Sequence, residues 1–186
     1  MATERERKML FKTIRPDGTS FYDSAFRYDL NGGRTESPGA LPGGPCADSD
    51  GLELGGIHLG KSVRDALLYS TGPWKLYGVT DCGPILGEDD SKIRVEWCIV
   101  GDEIALSEED LERLAGDSDW SVRVAIARRP DLSPALQERM AGDGDWRIRL
   151  TIARRPDLSP ALQERMAGDS DRYVRAVIAN LRKLAK

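Results

Sequence analysis

The sequence predicts an α+β protein: a small antiparallel β-rich domain with one helix over residues 1–105, then a short α-solenoid of helical repeats over residues 106–186. Two observations carry the second half. Residues 115–140 (AGDSDWSVRVAIARRPDLSPALQERM) and 141–166 (AGDGDWRIRLTIARRPDLSPALQERM) agree at 21 of 26 positions. Self-similarity at a fixed period of this length is the mark of stacked supersecondary units. Each unit also carries its own helix punctuation, a serine followed by proline before one apolar run and an aspartate before another. For the first half, strand-sized apolar runs separated by turn residues carry the prediction.

The elements of the first half follow in order. KMLFKTI, a turn at Arg15-Pro16-Asp17-Gly18 and then TSFYDSAFRYDL read as a β-hairpin over residues 8–30. Residues 31–51 are rich in glycine and proline and read as a long mobile loop containing Cys46. Strands are expected at 52–59, 74–80 and 92–100. Between the first two, Ser62 is an N-cap for a helix through Tyr69 with Val63, Ala66 and Leu67 on one face.

In the repeats, Ser133 and Ser159 are N-caps with proline at the first helical position, where the missing N–H costs nothing. Leu136 and Met140 then share a face, and Gly142 suits a left-handed C-terminal cap. Asp145 caps the next segment, 146–154, which stops because Pro156 disfavours helix at Arg155. Trp120, Val122, Val124 and Ile126 alternate as a strand would, but Ala125, Ala127 and Ala153 favour helix. A half copy (LSEEDLERLAGD, residues 106–117) precedes the array, and a third copy opens at Ala167. There Asn180, Leu181 and Arg182 replace Arg-Arg-Pro, so the final helix is expected to run on as a cap, with Lys183 and Lys186 at its negative end.

Composition narrows the function classes. The net charge is −4, with 40% hydrophobic and 31% charged residues, inside the soluble globular range. No apolar run approaches the roughly 20 residues of a membrane span, and the charged first residues are unlike a secretory signal, so a cytoplasmic, non-membrane protein is expected. Residues 1–105 hold 12 basic against 17 acidic side chains, whereas residues 106–186 hold 15 against 14. That balance disfavours non-specific nucleic-acid binding, although every charge after Asp171 is basic. Three widely spaced cysteines (Cys46, Cys82, Cys98) read as reduced thiols.

The motif Asp-x-Asp-Trp-x-Val-Arg-x-x-Ile-Ala-Arg-Arg-Pro-Asp-Leu, with a second helix ending Met-Ala, resembles the variant leucine-rich repeat over about residues 106–180. The resemblance implies a right-handed superhelix of alternating α- and 3₁₀-helices. Some members of that family carry an iron–sulfur cluster, which needs about four thiolates. Three cysteines do not supply them, so no cofactor is expected. Gly-Ile-His-Leu, Arg-Asp-Ala-Leu-Leu-Tyr, Trp-Lys-Leu-Tyr-Gly-Val and Ile-Leu-Gly-Glu-Asp-Asp-Ser-Lys resemble an uncharacterised bacterial domain often found beside such repeats, which implies no activity. A weaker likeness, Gly-x-His with a following Ala-x-x-Tyr, is to ADP-ribosyl-transferring folds, with Glu96 as a nominal second catalytic residue.

These readings favour a non-enzymatic scaffold whose repeat surface binds a partner protein. Its candidate contacts are Arg128, Arg129, Arg154, Arg155, Arg172, Arg175 and Arg182. Arg123, Arg149 and Arg175 form a second ladder, expected to pair with aspartates of adjacent units because the repeat 115–140 balances four acids with four bases. Trp120 and Trp146 are expected in the core or between repeats. The alternatives are a small enzyme centred on His58, the only histidine, and nucleic-acid binding along the arginine-rich edge. An enzyme requires His58 in a pocket beside a carboxylate or hydroxyl. A nucleic-acid binder requires Arg128, Arg154, Arg175 and Arg182 on one continuous face. Glu88-Asp89-Asp90 offers oxygen ligands to a hard cation but reads first as a solvated turn. The oligomeric state is left open by the sequence.

Overall fold

The computed structural model describes residues 9–21, 24–37 and 56–184, with side chains described to residue 183. The chain divides into two units, 1–105 and 106–186. Seven strands form one antiparallel sheet in the first: β1 (Leu10–Ile14), β2 (Arg34–Glu36), β3 (Ile57–Gly60), β4 (Lys75–Cys82), β5 (Ile85–Glu88), β6 (Lys92–Val95) and β7 (Trp97–Glu103). Their order is β2-β7-β4-β1-β3-β6-β5. Alternation along the strands puts Ile14, Ile57, Leu59, Tyr77, Ile93, Val95, Cys98 and Val100 into one buried cluster with Tyr28.

The helix α1 (Val63–Leu67) starts where Ser62 accepts from the Asp65 amide, as its sequence predicts. It lies on β1 and β3, where Thr13 Oγ1 donates to the Ala66 carbonyl at 2.9 Å and Ser70 Oγ donates to Thr13 Oγ1 at 3.0 Å. Gly60 makes this approach possible, since a Cβ there would stand 2.5 Å from the Ala66 nitrogen.

Three expectations for the first unit need correction, those for residues 8–30, 31–51 and 92–100. The hairpin expected over residues 8–30 is not found among the described residues: β1 pairs with β4 along its length and with β3 at Phe11. Among its described residues the segment 19–30 forms no named strand; it carries the isolated bridge Thr19↔Arg27, with the Ser20 amide donating to the Phe26 carbonyl at 3.0 Å and the Tyr28 amide to the Gly18 carbonyl at 3.0 Å. The turn at residues 15–18 is present, with Gly18 at φ +84° and Asp17 Oδ1 accepting from the Thr19 amide and hydroxyl. Part of the expected loop 31–51 is strand β2, paired to β7; positions 38–51 of that loop lie outside the described residues. Of the strand expected at 52–59, residues 52–55 lie outside them too, and β3 extends to Gly60. The single strand expected at 92–100 is two, broken at Glu96, because β6 pairs with β3 while β7 pairs with β4. The hairpin partner of β6, β5, was not anticipated.

The second unit consists of α2 (Glu108–Leu114), α3 (Trp120–Ala127), α4 (Pro134–Met140), α5 (Trp146–Ala153), α6 (Pro160–Met166) and α7 (Arg172–Leu184). Ser133 and Ser159 cap helices that begin with proline, and Asp119 and Asp145 cap those that begin with tryptophan. Residues 120–127 are helix, not strand. All six helices are α, so the 3₁₀ segments implied by the family resemblance are not found among the described residues. Gly142 does not take the left-handed conformation; the turn closes through the Gly142 amide on the Arg139 carbonyl at 3.0 Å. The last helix does run on, to Leu184.

Helix α3 packs on α5, and α5 on α7. Buried positions recur at the sequence period: Leu114, Met140 and Met166; Val122, Ile148 and Val174; Ile126, Ile152 and Ile178.

Candidate interaction surface

The starts of α3, α5 and α7 build an unanticipated feature. Asp119, Asp145 and Asp171 accept from the amides two residues on, which sets Trp120, Trp146 and Arg172 as first helical residues. At that position a side chain reaches away from the core. Trp120 is 47% exposed, Trp146 36% and Tyr173 50%, so of the two expected places for the tryptophans, core or between repeats, the core is not where they sit, and their ring contacts run between repeats. The Arg147 guanidinium lies 4.9 Å from the Trp120 ring centre and 5.5 Å from that of Trp146. Trp146 and Tyr173 rings are 5.9 Å apart, and Arg172 sits 4.7 Å over Tyr173 while donating to its hydroxyl at 2.7 Å. The result is a continuous stripe of alternating aromatic and cationic groups across three helices. A sequence signal for it exists: two of the stripe's side chains, Arg147 and Tyr173, occupy one of the few positions at which the copies differ, where the first has Ser121.

The arginines divide into structural and available groups. Arg123 and Arg149 clasp the next unit: Arg123 donates to both Asp143 oxygens at 2.9 and 3.2 Å, and Arg149 to both Asp169 oxygens at 2.8 and 3.0 Å. This is the pairing expected from charge balance, and it holds the Asp169 carboxyl below its ordinary range. Arg155 is 8% exposed, donates to the carbonyls of Ala127, Arg129 and Pro130 in the preceding unit, and forks onto Asp157 at 3.0 and 2.8 Å. Arg129 forks onto Asp131 with its side chain mostly covered. Both are therefore internal ties, not exposed contacts.

Arg128 and Arg154 are the C-terminal caps of α3 and α5, half-buried and exposed respectively. Arg175 donates to the Asp169 and Ser170 carbonyls near the start of α7, and Arg182 pairs with Glu164 at 2.5 Å. Arg128 and Arg154 thus lie at helix C-termini, Arg182 in the last turn of α7 and Arg175 near the start of that helix.

In the first unit His58 borders a cavity of about 20 Å³ lined by Thr13, Phe21, Tyr69 and Lys92 among others, room for about one water. No carboxylate is among its described lining residues. Three hydroxyl-bearing residues, Thr13, Ser20 and Tyr69, line it; Tyr69 Oη accepts from Lys92 Nζ at 3.2 Å, and Thr13 Oγ1 donates to the Ala66 carbonyl. Burial, then Lys12, Lys92 and Arg94, push the His58 pKa down to about 4, leaving the ring neutral. Glu96 is exposed at the break between β6 and β7 and does not line this cavity. Asp89 organises the β5–β6 turn, accepting from Ser91 and Lys92, with Lys61 beside Glu88 at 2.7 Å.

The chain matches no protein-family model, no curated protein and no solved structure. The likeness to variant leucine-rich repeats therefore rests on the residues quoted above.

Proposed function

We propose that residues 106–186 form a short right-handed α-solenoid of the variant leucine-rich repeat kind, and that the protein is a non-enzymatic scaffold binding a partner protein through this surface. The solenoid reading is supported by the 26-residue recurrence of buried positions and by the Arg123–Asp143 and Arg149–Asp169 clasps between successive units. The observation that carries the binding reading is the exposed Trp120–Arg147–Trp146–Tyr173–Arg172 stripe. Tryptophan, tyrosine and arginine dominate the energetics of protein interfaces. Here the cations already lie on the rings, so a partner meets side chains with little rotamer freedom left to lose. A protein partner is favoured over nucleic acid because the chain is acidic overall and its available arginines are split between opposite helix ends.

Affinity capture from native lysate tests this reading, comparing the wild type with the Trp120→Ser, Trp146→Ser, Tyr173→Ser variant after nuclease treatment. Loss of a retained protein from a variant that melts like the wild type is expected. Equal retention by both overturns the assignment of the stripe.

A further inference from the structure

Cys82, the last residue of β4, stands directly opposite Cys98 of β7. The register shifts between these two strands lie earlier, between Tyr77 and Asp81, and the ladder then runs regularly through Asp81↔Ile99 and Cys82↔Cys98. One step further the Gly83 amide donates to the Trp97 carbonyl at 2.9 Å. Antiparallel ladders alternate hydrogen-bonded pairs with pairs that are not, so the two cysteines form a non-hydrogen-bonded pair. The other side of β7 agrees. There the Ser37 amide donates to the Glu96 carbonyl at 2.7 Å, and by the same alternation Cys98 turns its own amide and carbonyl to Thr35 of β2, away from Cys82.

Non-hydrogen-bonded pairs are the close ones, with Cα atoms about 4.5 Å apart and side chains facing each other. A disulfide needs a Cα separation of roughly 4.4–6.8 Å, so the ladder brings two thiols inside bonding range. Both lie on the same face of the sheet: Cys98 is fully buried in the apolar cluster, and Cys82, half-buried, packs against it. Slippage is resisted beside the pair, where the Trp97 ring fills the place a Cβ would take on Gly83 and the Arg34 guanidinium covers that ring at 4.1 Å. Burial pushes the Cys98 thiol up to about 11, with Lys12 pulling it down and Cys82 adding to the rise. Cys98 is thus kept protonated and out of reach, so chemistry with a dissolved reagent begins at Cys82.

We propose that Cys82 and Cys98 form a reversible redox site, closed to a cross-strand disulfide by a low-molecular-weight disulfide such as oxidised glutathione. The Cys82 thiol gives its proton to water, and its thiolate attacks one sulfur of the oxidant, whose S–S bond breaks to release one small thiolate. Cys98 then attacks the Cys82 sulfur of this mixed disulfide, and its proton leaves with the second small thiol. Two protein thiols are oxidised and the small disulfide is reduced to two thiols. Closure ties β4 to β7 at the foot of the β5–β6 hairpin. The site lies in the first unit and shares no residue with the aromatic stripe.

Treatment of the folded full chain with oxidised glutathione tests this, followed by alkylation of the remaining thiols, trypsin digestion and mass spectrometry. Tryptic peptides 76–92 and 95–113 are expected as one disulfide-linked species, with Cys82 and Cys98 escaping alkylation together. The link forms at a rate independent of protein concentration, and dithiothreitol restores both thiols. In Cys98→Ala the reaction stops at a glutathione adduct on Cys82. Alkylation of both Cys82 and Cys98 after treatment overturns the proposal, as does a lasting glutathione adduct on Cys82 of the wild type. A link from Cys46 to either residue, in place of Cys82–Cys98, overturns it as well.

Discussion

Adjacent arginines in the same tripeptide make the sharpest contrast at the scale of single residues. Removing Arg155 uncovers three carbonyls of the preceding unit and leaves Asp157 without its fork. Arg155→Ala is therefore expected to cost about 3 kcal/mol, and Arg154→Ala under about 0.5 kcal/mol, in urea unfolding. From the sequence the two looked equivalent, because both sit at a helix end; only the three-dimensional path of the chain decides which reaches inward. His58 supplies a prediction in pH. Its folded pKa of about 4 lies below its ordinary 6.5, so between those values the unfolded chain binds a proton that the folded chain refuses. Stability is thus full above pH 6.5 and falls as the pH drops toward 4, by about 1–2 kcal/mol once partial solvent exposure is allowed for. Asp131, Asp157 and Asp169 are depressed carboxyls whose contribution is lost only below their ordinary 3.8. The upper window therefore belongs to the single histidine, and His58→Gln should flatten a chemical-denaturation series across it.

Elements were legible in proportion to how local their causes are. The repeat helices begin where Ser133, Ser159, Asp119 and Asp145 place them, since a cap acts within three residues. Ser133→Ala should accordingly cost about 1 kcal/mol in thermal unfolding. Strands depend on partners far along the chain, and there the sequence misled. Residues 92–100 look like one apolar run, yet β6 and β7 belong beside different neighbours. The short β2 carries only Thr35 inward, too little pattern to stand out from a glycine-rich stretch. Two glycines separate the local from the long-range cause. Gly142 ends a helix with no positive φ, and a Cβ there meets only the Arg139 carbonyl oxygen at an ordinary 3.4 Å. Gly142→Ala should change stability by less than about 0.5 kcal/mol. Gly60→Ala drives a methyl into the α1 backbone and should cost about 2 kcal/mol or more, read in the same assay.

Across the whole molecule, each unit keeps its ionic and hydrogen-bonding groups largely occupied with itself. Arginines clasp aspartates between repeats, exposed pairs such as Arg165–Glu138 at 2.6 Å run alongside, and the sheet encloses an apolar cluster. What remains outward-facing and unusual is the aromatic–cationic stripe. Periodicity pointed to the repeats as the interacting part but to the arginine pairs as the contacts. The stripe escaped notice because the tryptophans were expected in the core or between repeats, whereas the Asp119 cap makes Trp120 the first helical residue and leaves it 47% exposed. Placing a photo-cross-linking phenylalanine analogue at Ser121, beside the stripe, and separately at Glu138, on the ion-paired ridge, tests the central claim most directly. Irradiation in native lysate should yield a discrete protein adduct from position 121 and none from position 138. Adducts of equal yield at both positions, or none at position 121, would contradict the account.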